Sequence, residues 1–181
     1  MNNAGTGHSG YCELNYTPIK DNQVDISKAI KIAKEFMHSR EFWSELVKSK
    51  YIQHPKQFIR STPHYSFVDN KIDVDFLKAR YKALKKEPLF QDIEFSQDPK
   101  EIEKWLPLVM KGRNESSTLA CTRMIHGTDV DFGNLTKEIL TNLVKRKEVK
   151  VHFNHKVKSF KRRDNGQWSI RVENLVNDET K

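Results

Sequence analysis

The sequence has few cysteines and no long apolar run. Only two cysteines, Cys12 and Cys121, occur in 181 residues, and they form no C-x-x-C pair. A zinc site or a disulfide framework is therefore not expected, and a reducing compartment fits. Apolar runs of only a few residues predict no bilayer-spanning helix. The polar, glycine-rich start, Met1 to Gly5, resembles neither a signal peptide nor a targeting helix, so any membrane contact is expected to be peripheral.

The chain is also poor in apolar residues for its size. Hydrophobic residues make up 36% and charged residues 31%. A closed globule carries about 45–50% apolar residues on a count that includes glycine. A fragment that lacks its most buried strands would show this deficit, and so would an extended, highly charged surface.

The charge balance is basic, with 32 Lys and Arg against 24 Asp and Glu and a net charge of +8. Such a balance attracts nucleic acid, anionic lipid or anionic substrates. The basic residues stand in short runs at the ends of predicted elements, such as Lys85-Lys86 and Lys161-Arg162-Arg163. These runs are explained as solvent-exposed ends of helices and strands, because lysine and arginine favour helix C-termini. No RNA-binding motif or aromatic-basic stripe is present, so no nucleic-acid partner is expected.

Periodicity predicts alternating helices and strands, and hence an α/β or mixed α+β fold. Asp25 is a predicted N-cap, and Pro63 predicts an edge position or a bulge in its strand. Asp164-Asn165-Gly166 predicts a hairpin turn. The predicted helices are 25–49, 73–86, one after Asp98-Pro99 and one after Asp131 or Asn134, and the predicted strands are 58–68, 118–125, 149–153, 157–161 and a return strand from Trp168.

A glycine-rich loop at the N-terminus is the first candidate binding element. Three glycines fall between positions 5 and 10, separated by Thr6, His8 and Ser9. Glycine lets backbone N–H groups approach a cofactor closely, and the hydroxyl groups add donors. An ordinary polar turn is the alternative. Because such a loop needs rigid elements on both sides, a chain that opens with one is expected to begin within a domain.

Several blocks of the sequence closely resemble malate:quinone oxidoreductases. The longest and most specific is Asn2 to Pro18 (NNAGTGHSGYCELNYTP), which resembles the loop near the flavin in that family. The other blocks follow in the same order and spacing, so the resemblance covers nearly the whole chain. These blocks are 58–68 (FIRSTPHYSFV), 76–83 (FLKARYKA), 89–90 (LF), 105–113 (WLPLVMKGR) and 127–135 (GTDVDFGNL).

The resemblance implies an enzyme that uses FAD to oxidise L-malate to oxaloacetate and passes the electrons to membrane quinone. It also implies a D-amino-acid-oxidase-like fold, in which an FAD-binding, Rossmann-like domain joins a β-sheet substrate domain. Residues 1–23 would be the flavin-proximal loop, 24–126 a helical insertion and part of the substrate domain, and 127–181 a helix and β-hairpin of the FAD-binding domain. The implied location is cytoplasmic, peripheral on the inner face of the cytoplasmic membrane.

The sequence departs from the family pattern at its start. No G-x-G-x-x-G follows a predicted strand: the segment from Gly5 to Gly10 has that glycine spacing, but no predicted strand precedes it and no capped helix follows it at once. The chain is therefore expected to be an internal portion of the enzyme, incomplete at both ends. Alone, it is expected to bind FAD weakly or not at all and to be inactive.

The resemblance and the side-chain chemistry together indicate site residues. His8 and His64 are the candidate proton acceptors, because a neutral imidazole suits removal of a hydroxyl proton. Arg60 and Arg123 are the candidate clamps for the malate carboxylates. A surface, packing or salt-bridge role is the alternative for each. The implied FAD contacts are Gly5, Thr6, Gly7, His8, Ser9 and, through its backbone, Val157, which alternation equally assigns to a core.

Three other functions stay open at this point. The same chemistry acting on another 2-hydroxy acid, such as 2-hydroxyglutarate, fits the resemblance. The net charge motivates a basic, non-enzymatic binding module. The missing ADP-binding start motivates an inactive remnant.

Overall fold

The computed structural model shows a chain that divides into two compact units, residues 1–139 and residues 140–181. Helices and strands are mixed, which confirms the predicted fold class. The assignment of parent domains with boundaries after residues 23 and 126 stays a prediction. The structure describes Tyr11 and residues 13–113, 118–176 and 179–180. Within these ranges no helix is both long enough and apolar enough to cross a membrane.

Several helices begin beside a side chain that accepts a hydrogen bond from an amide of the first turn, and the predicted cap Asp25 does so from one residue before the N-cap position, Ile26. Asp25 accepts a hydrogen bond from Ser27 N at 3.0 Å, and Asp98 accepts one from Lys100 N at 3.0 Å. Each bond satisfies an amide that helix geometry leaves without a partner. The four predicted helices are confirmed with shifted ends, and a further short helix that was not predicted begins at Pro107. The helices are α1 (Ser27–Lys48), α2 (Lys71–Leu84), α3 (Pro99–Trp105), the additional α4 (Pro107–Met110) and α5 (Phe132–Leu143).

Short antiparallel strands form the sheets of the first unit. They are β1 (Ile19–Lys20), β2 (Gln23–Val24), β3 (Ile59–Ser61), β4 (His64–Val68), β5 (Glu94–Ser96), β6 (Ala120–Met124) and β7 (Thr128–Val130). β1 pairs with β2, β3 pairs with β7, and β6 lies between β4 and β5. Since β4 follows β3 and β7 follows β6, the β3–β7 ladder and the β4–β6 ladder continue one another as one bent ribbon.

Pro63 divides the segment that was predicted as one strand. The ladder pairs Ile59 with Val130 before the break and His64 with Met124 after it. The partner strand therefore carries one residue more than the strand that contains the proline, which confirms the predicted bulge. The prediction of one continuous strand is wrong, because proline has no amide to donate to the ladder.

The sheet of β4, β6 and β5 is covered by helices on both faces. Along β4, His64, Ser66 and Val68 are buried, and they alternate with the half-buried Tyr65 and Phe67. Val68 packs with buried residues of α2, whereas Tyr65 and Phe67 pack with residues of α3 and α4. Alternation along the strand therefore places His64 on the face that α2 covers.

Helix α1 packs against the β3–β7 pair and the start of α5. Phe36 of α1 shares a buried cluster with Phe58, Val130 and Leu135. The loop after α1 is held as well, because Gln53 N donates to a carboxylate oxygen of Glu138 at 2.6 Å. Both helices are thereby fixed to the same pair of strands.

The second unit contains an antiparallel hairpin. β8 (His155–Arg162) pairs with β9 (Trp168–Asn174), and β10 (Glu179–Thr180) pairs with the other side of β9. Gly166 has a φ of +80°, and its N–H donates to Arg163 O at 2.9 Å. This left-handed conformation is what a tight hairpin turn requires of glycine, and it confirms the predicted turn.

Two predictions for this region are wrong. Residues 149–153 form no strand: Val149 N donates to Arg146 O at 3.1 Å in a turn, and no strand in the described residues pairs with this segment. Val157 is 57% exposed, so the alternative that makes it a core residue does not hold in this structure. Alternation shows which side chains share a face, but it does not show that the face is covered.

Gly127 lies where the backbone of the ribbon and the His64 ring approach each other most closely. Thr62 N donates to Gly127 O at 2.9 Å, which continues the ladder across the bulge. A Cβ atom at position 127 would clash with Thr62 O and would stand 2.5 Å from Cδ2 and 2.7 Å from Cγ of His64. Glycine is therefore required by close approach rather than by its φ angle.

The substitution Gly127→Ala is expected to lower the free energy of unfolding by roughly 1–3 kcal/mol, the range for an overpacked core. The added methyl group must displace the His64 ring or the Thr62 carbonyl group. Urea unfolding of both proteins measures the difference. Gly133→Ala is the control, because its Cβ would meet only a carboxylate oxygen of Asp131 at 3.1 Å. Equal stability of the Gly127→Ala variant and the parent chain would contradict the close approach.

Candidate active site

His64 lies where separate family-like blocks of the sequence meet. It belongs to block 58–68, and only 9% of its surface is exposed. Its Nε2 atom lies 3.2 Å from Thr128 O, which belongs to block 127–135. Because a carbonyl oxygen only accepts, Nε2 donates, and in the neutral ring Nδ1 is then the nitrogen that accepts a proton.

The Tyr11 ring packs beside His64. Its centroid lies 6.3 Å from that of His64, and it lies 5.4 Å from that of Phe90 in an edge-to-face arrangement. Tyr11 belongs to block 2–18 and follows the glycine-rich loop in sequence. Tyr11 is the first residue that the structure describes, and its ring lies next to the candidate proton acceptor.

Arg80 of α2 holds the segment that starts at Tyr11. It has no exposed surface. Its Nη2 donates to Tyr11 O at 2.9 Å, and its Nε donates to Thr17 Oγ1 at 3.0 Å. A buried charge is costly unless hydrogen bonds replace its hydration, so both bonds stabilise the fold. Arg80 belongs to block 76–83, so this block contacts the segment whose Tyr11 ring lies beside His64.

Arg123, a predicted carboxylate clamp, is engaged in an ion pair. Its Nε lies 2.5 Å from Glu94 Oε2, and its guanidinium carbon lies 4.6 Å from the centroid of the Trp105 ring. The hydrogen bond between the two groups holds the pKa of Glu94 below its ordinary value and the pKa of Arg123 above it. Glu94 therefore already neutralises this guanidinium through Nε, so a malate carboxylate would meet a paired charge.

Arg60, the other predicted clamp, lies exposed on β3 opposite Asp129 of β7. It belongs to the β3–β7 pair, whereas Arg123 belongs to the β4–β6–β5 sheet. The structure does not bring the two arginines into one sheet. Their assignment to the malate carboxylates stays a prediction.

The predicted FAD contacts fall on two parts of the chain. Val157 lies on β8, an edge strand among the described residues, and the ladder with β9 shifts register between Val157 and Ser159. An edge strand presents backbone donors and acceptors on its outer side, which fits a backbone contact with an adenine ring. The other predicted contacts lie outside the described residues: Gly5, Thr6, Gly7, His8 and Ser9.

Sequence reasoning did not identify Arg80, Tyr11 or Thr128. Arg80 lies at helical spacing between Leu77 and Leu84, which are both fully buried. An arginine on an apolar helical stripe was the available signal, because arginine is almost never fully buried unless it is paired. Tyr11 and Thr128 carry no motif of their own. Their roles arise from strand pairing and loop placement.

Cys121 is not a candidate nucleophile. It is buried in β6, and desolvation raises the pKa of its thiol to about 12. Such a thiol stays protonated at neutral pH, whereas the thiolate is the reactive form.

Comparison with known proteins identifies the family. The family model for malate:quinone oxidoreductase matches residues 1–181. A probable malate:quinone oxidoreductase of Bacillus cereus is 50% identical over 175 residues, which cover 96% of this chain and 35% of the relative. One of a Geobacillus species is 49% identical over 175 residues, which cover 96% of this chain and 34% of the relative. The chain belongs to the malate:quinone oxidoreductase family, and it spans about a third of the length of these curated relatives.

The substitution Arg80→Met is expected to destabilise the first unit, because Tyr11 O and Thr17 Oγ1 each lose a donor. A buried polar group left without its partner costs roughly 1–3 kcal/mol. Arg80→Lys is expected to cost less, since the lysine ammonium group retains part of the hydrogen bonding of the guanidinium group. Urea unfolding measures both changes. Arg113→Met is the control, because the ion pair of Arg113 with Asp69 is more exposed, and it is expected to cost under about 1 kcal/mol. If Arg80→Met lowered the free energy of unfolding by no more than Arg113→Met, the anchoring role of Arg80 would be contradicted.

The Glu94–Arg123 pair is expected to make stability depend on pH. The pKa of Glu94 is lower in the folded chain than in the unfolded chain. The pair therefore contributes its full stability above the unfolded pKa, about 4.3, and loses it as the pH falls toward the folded pKa. Because the Glu94 side chain is 44% exposed, screening limits the effect to roughly 0.5–1 kcal/mol.

Urea unfolding of the parent chain and of the variant Glu94→Gln, at a series of pH values, checks this dependence. The stability difference is expected to be largest near neutral pH and to shrink below about pH 4. Glu35→Gln is the control, because its 3.8 Å pair with Lys31 is highly exposed. A difference that does not vary with pH would show that the ion pair is not its source.

Proposed function

We propose that this chain forms part of the catalytic core of an enzyme that oxidises L-malate to oxaloacetate at the inner face of the cytoplasmic membrane. Malate would lose a hydride from C2 and a proton from its hydroxyl group, and a quinone would gain two electrons and two protons. FAD, when bound, would accept the hydride. Family membership and the names of the relatives support this function.

His64 is the residue that we assign to the malate hydroxyl proton. The observation that carries this assignment is the 3.2 Å contact between Nε2 and Thr128 O, which makes Nδ1 the acceptor nitrogen. A base needs a defined tautomer and orientation for proton transfer. The Tyr11 ring beside the imidazole limits its rotation further.

A full-length chimera tests the function. The matching segment of the Bacillus cereus relative, 50% identical over 175 residues, is replaced by this chain. The chimera is expected to reduce a short-chain quinone with L-malate, to form oxaloacetate, and to leave 2-hydroxyglutarate unreacted. Preference for 2-hydroxyglutarate would overturn the substrate assignment. A chimera that holds FAD and oxidises no 2-hydroxy acid would overturn the function.

In that chimera, His64→Asn is expected to lower kcat for malate by roughly 10²–10⁴-fold, the usual contribution of a general base. Asparagine cannot take up the proton, and its shorter side chain also gives up the hydrogen bond to Thr128 O. Rapid-mixing measurement of flavin reduction at several pH values gives the rate, and its dependence on the ionisation of a base is expected to disappear.

The control for this variant is His126→Asn. His126 lies with its side chain 59% exposed, 3.3 Å from Asp92. Its loss is expected to leave flavin reduction unchanged. A loss of only a few-fold with His64→Asn, or an equal loss with His126→Asn, would exclude His64 as the base.

A further inference from the structure

A small pocket lies between α1 and the start of β3, apart from the residues around His64. Its volume is about 240 Å³. Small-molecule pockets commonly begin at about 300 Å³, so this one fits a single substituted ring and is too small for a dinucleotide. Its mouth is open, so a substituent on the ring is free to extend outward.

The walls of the pocket are apolar and aromatic. Trp43, Val47, Phe58 and Ile59 line it. The Trp43 ring is held edge-to-face by Phe58 at 5.7 Å and by Phe36 at 6.1 Å between centroids. Because Phe58 and Phe36 are buried in the core, this wall is set before any ligand arrives, and a flat ring is the shape that it accommodates.

Two polar side chains stand at one side of the pocket. Arg40 and Ser44 are four residues apart on α1, so they lie on one face of the helix. In the described part of the chain, neither side chain has a hydrogen bond or an ion pair. A guanidinium and a hydroxyl group therefore offer donors next to an aromatic wall, which is the combination that a ring with carbonyl oxygens requires.

We propose that this pocket binds the ring of a quinone, with its carbonyl oxygens accepting hydrogen bonds from Arg40 and Ser44. The inference rests on the proposed function, in which a quinone is the electron acceptor. The ring packs against Trp43 and Phe58, and the lipid tail leaves through the open mouth. Ile59 of the pocket wall precedes His64 by five residues on the same ribbon, roughly 17 Å along a strand.

Titration of this chain with a short-tail 1,4-benzoquinone, which has a single ring, tests the proposal through tryptophan fluorescence. Saturable quenching is expected, and it is expected to vanish in Trp43→Phe, which retains the aromatic packing. Arg40→Met is expected to weaken binding roughly tenfold, the usual effect of losing a charged hydrogen bond. Ser44→Leu, at an exposed position, is expected to fill the pocket and abolish binding without disturbing the core.

Lys34→Met is the matched control, because Lys34 is an exposed cation on α1 outside the pocket. The affinity of the Lys34→Met variant for the benzoquinone is expected to equal that of the parent chain. Quenching that does not saturate, persists unchanged in Trp43→Phe, or weakens equally in Arg40→Met and Lys34→Met would overturn the pocket. The titration uses neither malate nor FAD, so this failure is separate from failure of the chimera.

Discussion

Burial of the Arg80 guanidinium between α2 and the sheet removes a permanent charge from water, and only hydrogen bonds within the protein offset that loss. The acceptors are Tyr11 O and Thr17 Oγ1, at the two ends of one short segment. Satisfying the charge therefore fixes both ends of this segment against α2. The Tyr11 ring then lies beside His64. The surroundings of the imidazole thus depend on a charge from a neighbouring helix as well as on the strand that carries it.

The bent ribbon is the scaffold that the candidate sites share. Before the bulge, β3 supplies Ile59 to the aromatic pocket; after it, β4 carries His64 on the face that α2 covers. Pro63 causes the change of register, and Gly127 permits the two strands to stay in contact there. The bulge at Pro63 thereby separates two environments along the same pair of chain segments. The pocket at Ile59 is aromatic and open, whereas the surroundings of His64 are polar and buried.

Local patterns predicted most of the elements because their causes are local. The caps at Asp25 and Asp98 and the turn at Gly166 act within a few residues. The pairing of β3 with β7 joins residues about seventy positions apart, which no local pattern contains. His64 was identified through its block, but its partner Thr128 required that long-range pairing. Arg80 was not identified, because helical periodicity treats every arginine as a solvent-facing residue.

The five residues from Gly127 to Asp131 combine four tasks: strand pairing in the ribbon, contact with the His64 imidazole, packing in the core and capping of a helix. Gly127 and Thr128 meet His64, Val130 is fully buried, and Asp131 accepts from Asn134 N at 2.9 Å at the start of α5. Asp129 lies exposed on β7 opposite Arg60. An insertion or deletion anywhere in this stretch would therefore disturb all four tasks at once. Relatives with the same site should show this segment at constant length.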